Sequence, residues 1–127
     1  MNQWPQASQS VQVLVPGAKA NTAAATSAWI DVRGYEGDIM ILSQVGTVTA
    51  GSITPTIEDA TDGAGAGAAA IATNEGAFTA VTTANDPLTE KRTIGKGRTR
   101  GFIRYVGTIA TGPADVAVVI AAQPKNP

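Results

Sequence analysis

The 127-residue chain has no cysteine and no histidine. Those absences remove disulfide staples, thiolate nucleophiles, Ser-His and Cys-His pairs and the common zinc ligand sets, and with them most hydrolase and metalloenzyme chemistry. Aromatic residues make up only 5% of the chain, sparse for the stacking platforms of sugar clefts or single-strand nucleic-acid grooves. Charge of one sign is lacking too. Nine basic and ten acidic residues leave a net charge of −1, so no global field steers the molecule toward nucleic acid or a membrane. No apolar run approaches the roughly 18 residues that span a bilayer, and no cationic start precedes an apolar signal core; the expected product is soluble and made in a cytoplasm.

What is present is mostly small. Of the 43% apolar residues, 23 in number are alanine. Alanine buries little area, so a core drawn from this composition gains less than the apolar fraction suggests, and self-association or a partner surface would supply further burial. The length fits one domain.

The chain is organised around a phrase that occurs twice. Val45-Gly46-Thr47-Val48-Thr49-Ala50-Gly51 runs into Ser52 to Ile57, and Val106-Gly107-Thr108-Ile109-Ala110-Thr111-Gly112 runs into Pro113 to Val118. A constant offset of 61 carries Val45 to Val106, Gly46 to Gly107, Gly51 to Gly112 and Ile57 to Val118. Each copy follows an apolar run (Ile39 to Leu42, Phe102 to Val106) and reads as strand, Gly-bounded turn, strand: a β-hairpin.

Around these phrases the periodicity is that of strands. Val11, Val13 and Val15 alternate with polar or smaller neighbours until Pro16-Gly17, and Ala28 to Val32 forms a second strand after a small-residue loop. Ile39, Met40, Ile41 and Leu42 are apolar on both faces, which places Asp38 to Val45 in the middle of a sheet. Pro55 puts Ser52 to Asp59 at an edge or a bulge. The Gly-Ala alternation between Ala60 and Ala72 has little to bury and predicts a mobile loop. Phe78 to Thr82, Leu88 to Ile94, Phe102 to Val106 and Val116 to Ala122 follow, the last two as a closing pair. About eight antiparallel strands without helical periodicity predict an all-β sandwich of jelly-roll type, with the two repeated hairpins within it. The organisation expected is an arm over residues 1–9, one sandwich domain over 10–122 and a tail over 123–127.

One cluster of charge stands out. Lys91, Arg92, Lys96, Arg98, Arg100 and Arg104 fall within a window that holds no acid. A patch of this kind can meet a carboxylate-rich protein surface or phosphates, or can simply guard a sheet edge. Gly95-Lys96-Gly97 does not match a phosphate loop, because the following segment reads as strand where that motif needs a helix. Glu58, Asp59 and Asp62 lack the spacing of a calcium loop and read as turn chemistry. The candidate partner-binding residues are therefore Trp4 on the arm with Lys91, Arg92, Lys96, Arg98 and Arg100. No catalytic set, cofactor site or metal site is expected, nor nucleic acid or a membrane as partner.

The stretch Trp29 to Asp38, the phrase Val45 to Thr49, Ile57-Glu58-Asp59, Asp62-Gly63, Gly101 to Thr108 and Gly112 to Val116 resemble small proteins encoded among the head genes of tailed bacteriophages, the capsid decoration or cement proteins. That resemblance implies a β-rich, non-enzymatic virion protein that adds to the outer surface of a capsid and bridges capsomers. Its partner would be the major capsid protein, with a homo-oligomer of cyclic symmetry expected, a trimer because icosahedral shells offer three-fold and quasi-three-fold positions. The rival readings are a tail or connector component and a carbohydrate- or host-binding β-module.

Overall fold

The computed structural model describes residues 9–71, 77–95 and 99–124, and the described residues form nine strands and no helix. In chain order these are β1 (Gln9–Lys19), β2 (Ile30–Asp31), β3 (Tyr35–Val48), β4 (Gly51–Ala60), β5 (Ala69–Ala70), β6 (Val81–Thr82), β7 (Leu88–Gly95), β8 (Phe102–Thr111) and β9 (Ala114–Pro124). Sheet 1 has the order β1-β9-β3-β7, and sheet 2 the order β2-β8-β4-β5, with β6 on the same side of β4 as β5. All pairings are antiparallel. If β5 and β6 are counted as one interrupted position, the first position pairs the eighth, the second the seventh, the third the sixth and the fourth the fifth. That is the wrapping of a jelly roll, and it meets the all-β sandwich expectation.

The repeated phrases are not hairpins. β3 lies in sheet 1 and β4 in sheet 2, while β8 lies in sheet 2 and β9 in sheet 1, so each phrase is a corner at which the chain changes sheets. The two corners bond to each other: Thr49 N–H donates to Pro113 O at 2.9 Å, and Gly112 N–H to Ala50 O at 3.0 Å. The 61-residue offset is a property of the fold as well. It carries the pair Ile53↔Ile109 of β4·β8 onto Ala114↔Val48 of β9·β3, both of which are observed. Farther out, Ile57↔Tyr105 would map onto Val118↔Gln44, and the observed partner is Ser43, one residue along, past the irregularity between Val45 and Val48. Bends and bulges of this kind are how strands switch sheets. Hairpin closure fails because β3 already has β7 on one side and β9 on the other. The equivalent glycines Gly51 and Gly112 both take left-handed φ, +74° and +68°. A Cβ on Gly51 would stand 1.8 Å from the Ala110 carbonyl oxygen, so the corner admits no side chain there.

Other boundaries shift for local reasons. β1 continues past Pro16-Gly17 by means of register shifts, and β9 runs two residues beyond the expected domain edge because Gln123 and Pro124 pair with Glu36 and Tyr35. β4 is an interior strand despite Pro55. The proline faces the gap between β5 and β6, where its missing N–H is not needed and its carbonyl accepts from Phe78 N–H at 3.2 Å.

The core lies between the sheets and is built mainly of β-branched residues, with Ala25, Ala60, Ala114 and Ala122 among its smaller members. Ile39, Ile41, Ile53, Ile57, Ile94, Ile103, Val32, Val81, Val116 and Val118 are all but inaccessible to solvent. Alanines 64, 66, 68, 69, 70, 77, 80, 84 and 110 are on the surface, so many of the small residues dilute the exterior. One polar tie crosses the sandwich: Ser43 of β3 and Tyr105 of β8 share a buried hydrogen bond of 3.2 Å, with the Phe78 ring edge-on to Tyr105 at 6.3 Å. Burial drives the Tyr105 hydroxyl up to about 12, with the Ser43 bond opposing.

Candidate functional site

Trp4, Lys96 and Arg98 lie outside the described residues. The other members of the basic window do not gather into a free cationic patch, because the fold brings acids to them that the sequence kept apart. Arg100 donates to Asp59 through its backbone N–H, Nε and Nη2, the last at 2.9 Å from Oδ1, and also reaches the carbonyl of Gly67 at 2.7 Å. Asp59 is buried, and its charge holds the Arg100 guanidinium above its ordinary range. Arg104 meets Glu58 in its register position on the neighbouring strand, at 2.7 Å. Arg92 bonds Glu90 at 3.3 Å and the Ala77 carbonyl at 2.8 Å, and its guanidinium lies over Phe78. Glu90 in turn accepts from the backbone N–H and hydroxyl of Thr79.

The last group closes a seam. Glu90 and Arg92 stand opposite Ser43 and Ile41 in register and so share the inward side of edge strand β7. Inward charge on an edge is a device that keeps the edge from recruiting another chain. Lys91, between them, points the other way, onto the outer face of sheet 1; it is exposed and has no ion-pair partner among the described residues.

The outer face of sheet 2 carries a second assembly, one with no sequential spacing to betray it. Arg104 stacks over Trp29 at 4.5 Å while paired to Glu58, and Arg33 stacks over Phe102 at 4.8 Å while paired to Asp31 at 2.8 Å. Hydrogen bonds from the Arg33 side chain and backbone N–H hold the exposed Asp31 carboxyl down at about 2. Across these rings lies the Gly-Ala segment. It is a bonded loop: Asp62 Oδ1 accepts from the N–H groups of Ala64 and Ala66, which lower its carboxyl, and Thr61 N–H reaches Ala66 O. The alternating glycines lie close to the side chains of the sheet, most tightly at Gly65. A Cβ at Gly65 would come within 2.8 Å of the Trp29 indole nitrogen, one at Gly67 within 3.2 Å of Arg100, and one at Gly63 would touch Phe102 at 3.5 Å. The loop expected to be mobile is thus a lid fitted to the aromatic-cation stack.

These placements bear on the chemistry. Glu58 and Asp59 sit on opposite sides of β4, each bound to its own arginine, and Asp62 is taken by its loop, so the three do not converge as oxygen ligands. The aromatics of sheet 2 are stacked on arginines and covered by glycines, which leaves them no open platform. Among the described residues the converging polar groups form ion pairs and loop bonds that fasten the fold.

No family model matches the chain, and no curated protein matches it. Among solved structures, it is similar to the infectious bursal disease virus VP2 subviral particle at 12% identity and a TM-score of 0.40, over 91% of this chain. The chain spans 32% of the length of that one.

Proposed function

We propose that the protein is a structural, non-enzymatic virion component that binds the outer surface of a tailed-phage capsid and stabilises it by bridging capsomers. The observation that carries the reading is a jelly-roll strand order joined to a set of polar side chains spent on internal pairing. Jelly rolls serve capsids, lectins and small-molecule enzymes alike. Here Arg92, Arg100 and Arg104, with Glu90, Asp59 and Glu58, hold strands and loops together, which suits a molecule whose work is adhesion. The sequence phrases that resemble decoration proteins, Trp29 to Asp38 and Gly101 to Thr108 among them, are the strands and loops of the stacked outer face of sheet 2 and its flank. A partner that binds only the folded form adds its binding free energy to stability. Lys91, with Trp4, Lys96 and Arg98, supplies the charge and the anchor for a major capsid protein, while Arg92 and Arg100 act within the chain.

The test is addition of purified protein to expanded, undecorated capsids. Saturable co-sedimentation together with raised resistance to heat or chaotrope is expected. Absence of binding, or binding without added resistance, overturns the stabilising role.

A further inference from the structure

The outer face of sheet 1 breaks the pattern of a sheet with one wet side. Such strands alternate apolar inward and polar outward. β3 instead presents Met40 and Leu42 outward and β9 presents Ala117, Val119 and Ala121, all at positions whose neighbours in sequence are core residues. On the neighbouring strand β1, Val15 is 67% exposed within the irregular stretch between Leu14 and Gly17. Polar residues resume at Asp38 and Gln44 on β3, at Asp115 on β9 and, on β7, at Thr89, Lys91 and Thr93. Every described connection is fastened elsewhere. Residues 21–27 bond along β8, 61–68 cover sheet 2, 77–79 hold the seam beside β7, and Asp86 accepts from Val48 N–H at the corner.

We propose that this face is where a second copy of the chain docks, sheet 1 against sheet 1, in an isologous dimer. The inference goes beyond the capsid reading and concerns the free protein, so either can fail while the other stands. Three features select a second copy as occupant. The first is chemistry: between Met40 and Gln44 on β3, and across Ala117 to Ala121 on β9, the face carries no charge, so what covers it must be apolar and flat, as this face itself is. The second is shape. Met40 lies beside Ala121 and Leu42 beside Val119, large next to smaller. A two-fold axis along the β3–β9 seam lays β3 of one copy over β9 of the other, so that each Met40 meets the hollow at an Ala121, and the packing becomes that of two stacked sheets. The third is area. Four strands about 4.8 Å apart, over eight residues rising about 3.3 Å each, make roughly 500 Å² per copy. That total, near 1,000 Å², falls at the low end of specific interfaces and sets the expectation of a weak, concentration-dependent dimer.

An isologous contact closes at two, where the symmetry of shells alone suggested three. Sedimentation equilibrium of the full chain from about 10 μM to 1 mM spans the range expected of such an interface. The weight-average mass should climb from 12.8 kDa toward twice that value and stop. Leu42→Glu and, separately, Val119→Glu should hold the protein at the monomer mass, each with its circular dichroism and melting unchanged. Should either charge prevent folding, Leu42→Thr should weaken association at least about tenfold, the equivalent of about 1.4 kcal/mol. A monomer at every concentration, a trimer, or a dimer that survives these substitutions overturns the proposal. A monomer whose Leu42→Glu variant also stops co-sedimenting with capsids overturns it and assigns the face to the capsid instead.

Discussion

The two outer faces of the sandwich rest on the same antiparallel ladders and are finished in opposite ways. On sheet 2 the chain spends its scarce aromatics and its arginines: Trp29 and Phe102 lie under Arg104 and Arg33, Glu58 and Asp31 balance the charge, and the loop from Asp62 to Ala68 covers the assembly. On sheet 1 the central strands turn Met40, Leu42, Ala117, Val119 and Ala121 outward, with no described loop over them. The difference shows that covering a sheet face is a matter of where connections are tied down. A face closed by its own chain contributes to the stability of the monomer, whereas an open apolar face keeps its burial in reserve for a partner. Substitutions on sheet 2 should therefore be read in unfolding experiments, and those on sheet 1 in association experiments.

The largest expected effect is on the closed side. Arg100→Ala leaves the Asp59 carboxylate, 10% exposed, without its partner and unties the end of the loop at Gly67. Removing one partner of a pair whose acid is buried is strongly destabilising, and the 40% exposure of the Arg100 side chain moderates the loss. Urea unfolding measures it, and an unchanged midpoint would mean that water replaces the arginine and the loop needs no tie. Next comes the bond shared by both sheets. Tyr105 titrates at about 12 in the folded protein against 10.0 for the free side chain. The folded state holds the proton more tightly, so the contribution is intact below pH 10 and is lost as pH rises through the folded value. At about 1.4 kcal/mol per unit this amounts to roughly 2–3 kcal/mol. Tyr105→Phe should flatten that alkaline decline while destabilising the protein by about 1 kcal/mol through the unpaired Ser43 hydroxyl. Gly65→Ala forces a Cβ against the Trp29 ring at a φ of +88° and should cost about 2 kcal/mol, with a shift in indole fluorescence in a Trp4→Phe background. Arg104→Ala, which removes a partly exposed pair and one stacking contact, should cost about 1 kcal/mol.

Much of the architecture was legible in the sequence because period-two alternation needs only local information. The long strands fall where Val11 to Val15, Ile53 to Ile57 and Val116 to Ile120 alternate and where Ile39 to Leu42 is apolar throughout, and the repeated phrase marked the two places where the chain turns between elements. Whether a Gly-bounded turn closes a hairpin or a corner was not legible, since both need an apolar strand, a glycine with left-handed φ and another strand. The choice depends on whether β3 finds β4 or finds β7 and β9, and that pairing is settled far along the chain. The ion pairs were hidden for the same reason. Arg100 and Asp59 are 41 positions apart, and Arg104 and Glu58 are 46. Within a window that reads as basic along the chain, Arg92, Arg100 and Arg104 are paired with acids in space. The Gly-Ala segment misled in another way: low side-chain content suggested mobility, whereas each glycine marks a close approach to a ring or an arginine.

The smallest expected effect on stability tests the open side most sharply. Leu42→Gln changes a residue that shares β3 with fully buried Ile41 but stands on the other side of the pleat, in register between Lys91 and Val119. In the monomer it removes apolar area that water already reaches, so the unfolding free energy should move by no more than about 0.5 kcal/mol. The same change should weaken self-association measurably, because in the docked state that area would have left water and the amide would be buried without a partner. A loss of several kcal/mol in dilute solution would show that something in the chain already covers Leu42, and the two faces would then differ in what closes them and not in whether they are closed.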